Sequence, residues 1–250
     1  VIEARMENRD IKAGFYRALG KGMKAGGLVA SNSSSMGPGI LSPYFAEGGG
    51  TTANFLNLHF FSPAEHPAMQ LVEIVKGAAT TAAAVATAHA FVRKINKTPV
   101  ILNDGSAGFL VNAGLAAYFQ AADDLYREGT PIAVIDEAIR KTVLPMGPFE
   151  LGDQAGLDIA AGMFDTLAAE KRPAREPLVW KLRELKRFGI KTGAGFYDYK
   201  DGRKQTEWSG LAALVADRGS RVANAEAIVE RCMRALYATA RSLCDRQIVG

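Results

Sequence analysis

The sequence predicts an α/β layer followed by an all-α region, and three observations carry that expectation. The opening residues run strand, helix, strand within roughly thirty positions, the pattern of a parallel crossover unit. Short apolar runs bounded by turn residues recur as far as Asn103 and read as buried strands. Beyond Asp104 the pattern changes to long stretches of helical period, with no convincing strand before Phe196 and Tyr197. The expected divisions are 1–103 for the sheet part, 104–202 for a helical part and 203–250 for a third segment.

The elements follow in order. Residues 1–4 end a strand; Asp10 is a plausible N-cap for a helix with the stripe Ile11, Phe15, Ala18 and Leu19, stopping near Gly20. Leu28, Val29 and Ala30 form a second strand, followed by the polar run Ser31-Asn32-Ser33-Ser34-Ser35. Phe55, Leu56, Leu58, Phe60 and Phe61 read as a third strand, Ser62, Pro63 and Pro67 as a loop, and Leu71, Val72, Ile74 and Val75 as a fourth strand. An Ala-rich helix over 80–95 precedes a last strand at 99–103. Helices are expected over 109–128, from Thr130 as N-cap with Pro131 in the first turn, over 157–170 and over 178–188, with Met146-Gly147-Pro148 as a break and 189–195 as a basic loop. The tail over 223–249 is helical, and its apolar positions track those of 109–128: Ile228 falls on Leu110, Val229 on Val111 and Met233 on Leu115. The segment 203–250 therefore reads as the start of a second, incomplete helical repeat.

Composition bounds the function. The chain has 250 residues, 48% hydrophobic and 22% charged, which is an ordinary globular mix. A net charge of +4 without clustered, aromatic-interleaved Lys and Arg suits an anionic small ligand rather than a nucleic acid. Cys232 and Cys244 fall on one predicted helix, too far apart to be bridged, so reduced thiols and a cytoplasmic location are expected. There is no membrane-length apolar run and no signal peptide. The first residue is Val, and the chain is expected to belong to a longer polypeptide.

The chemistry centres on His59 and Glu73. A carboxylate among Leu71, Val72, Ile74 and Val75 is unfavourable unless a partner meets it. An imidazole is the nearest candidate, and a carboxylate holding one ring nitrogen fixes the tautomer that leaves the other free to act as a base. The blander readings are a capped loop histidine and an edge-strand glutamate. Glu7, the serine run and His59 each follow a predicted strand, so an open parallel sheet would gather them on its ligand-binding rim. Taken alone, the serine run is also a good turn sequence. A serine hydrolase is a poor reading, because no G-x-S-x-G elbow occurs. A zinc site is poor as well, because His59, His66 and His89 have no cysteine companions.

The stretches Ser31-Asn32-Ser33-Ser34-Ser35, His59-Phe60-Phe61-Ser62-Pro63, Leu71-Val72-Glu73, Gly108-Phe109-Leu110-Val111-Asn112, Pro145-Met146-Gly147-Pro148-Phe149-Glu150-Leu151 and Lys191-Thr192-Gly193-Ala194-Gly195-Phe196-Tyr197 occur in this order. Over 1–200 the chain thereby resembles the L-3-hydroxyacyl-CoA dehydrogenases, and its duplicated helical tail resembles the multifunctional fatty-acid oxidation enzymes. The resemblance implies a truncated Rossmann-like sheet and a helical C-terminal domain. It implies NAD as cofactor and a 3-hydroxyacyl-CoA as substrate, in a homodimer or a multienzyme complex. It implies His59 as catalytic base with Glu73 as its partner, and Ser34 and Asn112 at the substrate oxygens. Glu7, Lys12, Ser34, Ser62 and Lys191 would lie around NAD, with the site between the sheet part and the helical part that carries Asn112.

Two departures stand out. The separation of His59 and Glu73 is two residues longer than the family's pattern. No G-x-G-x-x-G occurs, so the glycine-rich half of the NAD site is expected upstream of Val1 and cofactor binding by these residues alone is expected to be weak. The competing hypothesis is a non-catalytic helical dimerisation or scaffold module.

Overall fold

The structure is a computed structural model that describes residues 1–24, 26–170 and 172–249, apart from the side chain of residue 170. Contacts divide the chain into two units: Val1–Asn112 with Arg241–Gly250, and Ala113–Ala240.

The first unit is built on a five-stranded sheet in the order β1 (Ile2–Glu3), β2 (Val29–Ser31), β3 (Phe55–Phe60), β4 (Leu71–Lys76), β5 (Thr98–Asn103). Every pairing is parallel except β3 with β4, which is antiparallel. The expected parallel sheet is thus parallel in three of its four pairings; the segment between β3 and β4 contains no crossover helix, only the short loop 61–70, and so short a connection folds back as an antiparallel return.

Three helices of this unit cover the sheet: α1 (Arg9–Gly22), α2 (Pro38–Glu47) and α3 (Ala82–Lys94). Asn8, not Asp10, caps α1, its side chain accepting from the amides of Asp10 and Ile11. The sequence reading missed α2, whose two prolines and apolar surface hide any helical stripe. Its N-terminus is capped from a distance, the Gly39 amide donating to the Asp104 carboxylate at 2.6 Å. The glycine run that follows α2 lets it pack tightly on α1, since a Cβ at Gly48 would lie 2.2 Å from the Arg17 carbonyl oxygen.

Strand alternation gives the two sheet faces different jobs. Leu56, Leu58, Val72 and Ile74 pack with Ala88 and Val92 of α3 on one face. On the other, Val29 and Phe55 pack with Tyr16, Leu41 and Phe45 of α1 and α2. That second face also carries the buried polar residues Glu3, Ser31, Asn57, His59 and Glu73.

The second unit has its own core, formed by α4 (Val111–Glu128), α5 (Ile132–Thr142), α6 (Pro148–Ala155), α7 (Leu157–Glu170), α8 (Leu178–Glu184) and part of α9 (Ala225–Asp245), with a hairpin of β6 (Tyr197–Lys200) and β7 (Arg203–Glu207). The Met146-Gly147-Pro148 break is also the start of α6, with Pro148 at its first position. Thr130 is not the N-cap of α5: Pro131 holds that position, and the Thr130 hydroxyl instead accepts from the Ala223 amide.

By contacts the residues after 203 belong to the helical unit as far as Ala240. Ile228 and Cys232 of α9 are buried in the same core as Tyr118 and Leu125 of α4. The tail then rejoins the first unit, where Val249 bridges Leu102 and the Asn103 amide donates to the Ile248 carbonyl at 2.7 Å. By contacts the two units meet after Asn112, since the start of α4 is tied to β4.

Candidate active site

His59 is the penultimate residue of β3, inside the strand rather than past it, and Glu73 is its direct cross-strand partner on β4. The antiparallel register delivers both side chains to one face, and His59 Nδ1 and Glu73 Oε2 lie 2.6 Å apart. Both are buried, with exposures of 5% and 0%. The second oxygen of Glu73 accepts from the amides of Leu110 at 3.0 Å and Val111 at 2.9 Å, the first turn of α4. A carboxylate at a helix N-terminus is stabilised as the anion. In the tautomer that carries its proton on Nδ1, His59 donates to Glu73 and leaves Nε2 with a free lone pair. Phe61 and Phe109 flank the imidazole at centroid distances of 4.6 and 5.7 Å. Phe109 has φ +54°, a conformation unusual for a side chain of its size, and it immediately precedes the two amides that meet Glu73.

The serine run forms a loop beyond β2. Glu7 binds this loop through one oxygen, which accepts from the hydroxyls of Ser33 and Ser35 and from the Ser35 amide at 3.2 Å. The side chain of Glu7 is 39% exposed, so a ligand can reach it. Ser34, at the middle of the loop, makes no side-chain hydrogen bond among the described residues, and its hydroxyl is free to meet a ligand.

Lys12 is placed differently from a surface ligand contact. It is 1% exposed, and its ammonium donates to both oxygens of Glu3 at 2.8 and 3.0 Å, with Glu7 3.4 Å away. Burial alone would push the Glu3 carboxyl up, but Lys12, the Tyr16 hydroxyl and the Arg5 amide outweigh it and hold Glu3 below its ordinary value. Ser62 is exposed in the loop after β3. Asn112 follows Val111 directly in the first turn of α4 and groups by contacts with the sheet-bearing unit. Lys191 lies in the other unit, where it pairs with Asp158 at 2.5 Å.

Sequence reasoning missed Asn57. It is fully buried on β3, two positions before His59, and its amide donates to the carbonyls of Ser33 at 3.2 Å and Met36 at 2.9 Å. The signal was available, since period two places it on the face of His59.

The site is thus a buried imidazole–carboxylate pair at the end of a mainly parallel sheet, beside a serine loop on the same face, the arrangement of a general-base enzyme on a nucleotide-binding type of α/β fold. Residues 1–105 match the family model of the 3-hydroxyacyl-CoA dehydrogenase NAD binding domain, and residues 108–199 that of the 3-hydroxyacyl-CoA dehydrogenase C-terminal domain. The chain is 36% identical over 204 residues to the fatty acid oxidation complex subunit alpha of Psychrobacter arcticus, covering 80% of this chain and 27% of that protein. Among solved structures it is similar to 3-hydroxybutyryl-CoA dehydrogenase from Escherichia coli K12, with a TM-score of 0.73 and 30% identity over 82% of this chain and 43% of that one. FadB2 of M. tuberculosis matches with a TM-score of 0.73 and 30% identity over 80% of this chain and 70% of its own. The chain belongs to the 3-hydroxyacyl-CoA dehydrogenase family. It spans about a quarter of the length of the curated relative it matches.

The residues present fit one end of a dinucleotide. Ser34 offers an unengaged hydroxyl and Glu7 a reachable carboxylate, suited to an amide and to ribose hydroxyls. The Gly37-Pro38-Gly39 turn opens α2, but its Gly39 amide is already held by Asp104, so it is not open to a pyrophosphate.

Proposed function

We propose that the protein oxidises L-3-hydroxyacyl-CoA to 3-oxoacyl-CoA with NAD, as a step of fatty-acid β-oxidation in the cytoplasm, acting as a homodimer or within a fatty-acid oxidation complex. The observation that carries this reading is the 2.6 Å contact between His59 Nδ1 and a Glu73 carboxylate whose other oxygen is already held by two amides. His59 Nε2 takes the proton of the substrate hydroxyl. Glu73 remains ionised and stabilises the imidazolium that forms. The Ser34 hydroxyl and the Asn112 amide hydrogen-bond the substrate oxygens, and Glu7 and Ser34 hold the cofactor's polar end, with Lys191 a further cofactor contact. Lys12 acts by supporting Glu7, and Ser62 borders the cofactor from the loop after β3. NAD, when bound, supplies the hydride acceptor.

His59→Gln in the intact polypeptide tests the reading, with the reverse reaction followed by NADH absorbance on acetoacetyl-CoA. General-base action contributes about 10²–10⁴-fold, so kcat should fall at least about a hundredfold. Turnover near the wild-type rate would overturn the assignment. An intact polypeptide, with the residues upstream of Val1 restored, that neither turns over nor changes NADH fluorescence would favour the helical scaffold alternative.

A further inference from the structure

We propose that Asn57 is a positioning residue, holding the serine loop against the strand that carries His59. The inference rests on the dehydrogenase reading for its catalytic consequence, but its structural part stands on the geometry alone. In the β3 sequence Phe-Leu-Asn-Leu-His-Phe, Asn57 and His59 share a face. Asn57 faces Ser31 of β2 in register, and the serine loop leaves β2 at that point. Both protons of the Asn57 amide are used, one on the carbonyl of Ser33 and one on that of Met36, which bracket Ser34. A reciprocal stitch runs the other way: the Asn32 side-chain oxygen accepts from the Phe60 amide at 2.9 Å. His59 is thus enclosed between two loop-to-strand ties, at positions 57 and 60.

The energetics favour positioning over simple stabilisation. The Asn57 Oδ1 atom is buried and has no donor among the described residues. A buried polar atom without a partner is unfavourable. Asn57 therefore carries a penalty that offsets much of the gain from its two donated bonds, and what it retains is the placement of the loop. Glu7 holds the same loop from its solvent side through Ser33 and Ser35. Without Asn57 the loop has no tie from the Asn57 side chain beneath it, and Ser34 loses its fixed distance from His59.

The test compares wild type with Asn57→Ala and Asn57→Ser. Amide hydrogen exchange over residues 33–36 needs neither cofactor nor activity; it should quicken by about tenfold or more in Asn57→Ala, the scale of one lost buried hydrogen bond. With saturating acetoacetyl-CoA and NADH, kcat per folded molecule should fall by a similar factor. The pH profile of kcat/KM should keep its wild-type inflection, because the His59–Glu73 contact is untouched. Asn57→Ser, which keeps one donor, should recover part of both losses, and it carries the comparison if the alanine variant does not fold. Unchanged exchange at 33–36, or wild-type kcat per folded molecule in a turning-over protein, overturns the proposal. If wild type and His59→Gln behave alike, the dehydrogenase reading fails by itself, and the exchange measurement still decides whether Asn57 holds the loop.

Discussion

Glu73→Gln separates the two tasks of the buried carboxylate. The glutamine has two ways to sit. With its oxygen on the Leu110 and Val111 amides, its NH₂ points at His59 Nδ1, which must then accept. The ring proton moves to Nε2 and the base is lost. With its oxygen on His59, the tautomer survives, but the NH₂ faces two backbone N–H groups that now have no acceptor. Each unsatisfied buried donor is unfavourable by about 1–3 kcal/mol, so this pose lies roughly 2–6 kcal/mol above full satisfaction. The first pose should win. The variant should therefore fold with near-wild-type stability while kcat drops by about 10²–10⁴-fold, the whole contribution of a general base. Steady-state turnover of acetoacetyl-CoA with NADH gives kcat, and hydrogen exchange at Leu110 and Val111 reports the pose. A kcat within threefold of wild type, or amides at 110 and 111 that exchange much faster than in wild type, would refute the reasoning.

Two further predictions concern stability. Lys12→Met removes the cation from a buried pair and leaves the Glu3 carboxylate with only the Tyr16 and Ser31 hydroxyls and the Arg5 amide; urea denaturation should show a loss of about 3–5 kcal/mol at unchanged m-value, and an unchanged midpoint would disprove it. Asp136 in the helical unit accepts from the Phe149 and Glu150 amides and the Tyr197 hydroxyl, yet burial pushes its carboxyl up from 3.8 to about 7, these bonds only partly opposing the shift. The native state then binds an extra proton between those values, so the stability Asp136 contributes is full at the acid end and is lost as pH rises toward 7. Asp136→Asn cannot titrate; its disadvantage against wild type, measured by urea denaturation at pH 4.5 and pH 7, should shrink by at least about 1.4 kcal/mol, one unit's worth, and a gap independent of pH would contradict the reading.

The strands of the first unit were legible because each is a short apolar run between turn residues. The His59–Glu73 partnership was legible because Glu73 sits where an unpaired carboxylate is prohibitively unfavourable. What was not legible depends on contacts between distant residues. Whether β3 and β4 run parallel or antiparallel is not written in either strand. The helix at 38–47 was hidden because its N-terminus is satisfied by Asp104, far away in sequence, instead of by a local cap. Lys12 reads as an exposed basic residue on α1 until Glu3 is seen to be buried beneath it. Asn57 lies in an apolar run as Glu73 does, but a neutral amide raises less suspicion there than a carboxylate. The tail over 241–249 carries no mark of its return to β5, which rests on backbone bonds at Asn103 and on packing of Val249.

The fourteen-residue separation of His59 and Glu73 in sequence has little bearing on their distance in space. Their alignment is dictated by the rungs joining Leu56 through Phe60 to Lys76 through Val72, and residues added to the connecting bend are extruded at its tip, where Lys97 fastens the carbonyls of Ala64 and Met69. Length at this bend is therefore a free variable, open to a tag, a protease site or a graft without disturbing the proton-transfer pair, whereas a single-residue slip of either strand would turn the imidazole to the opposite side of the sheet.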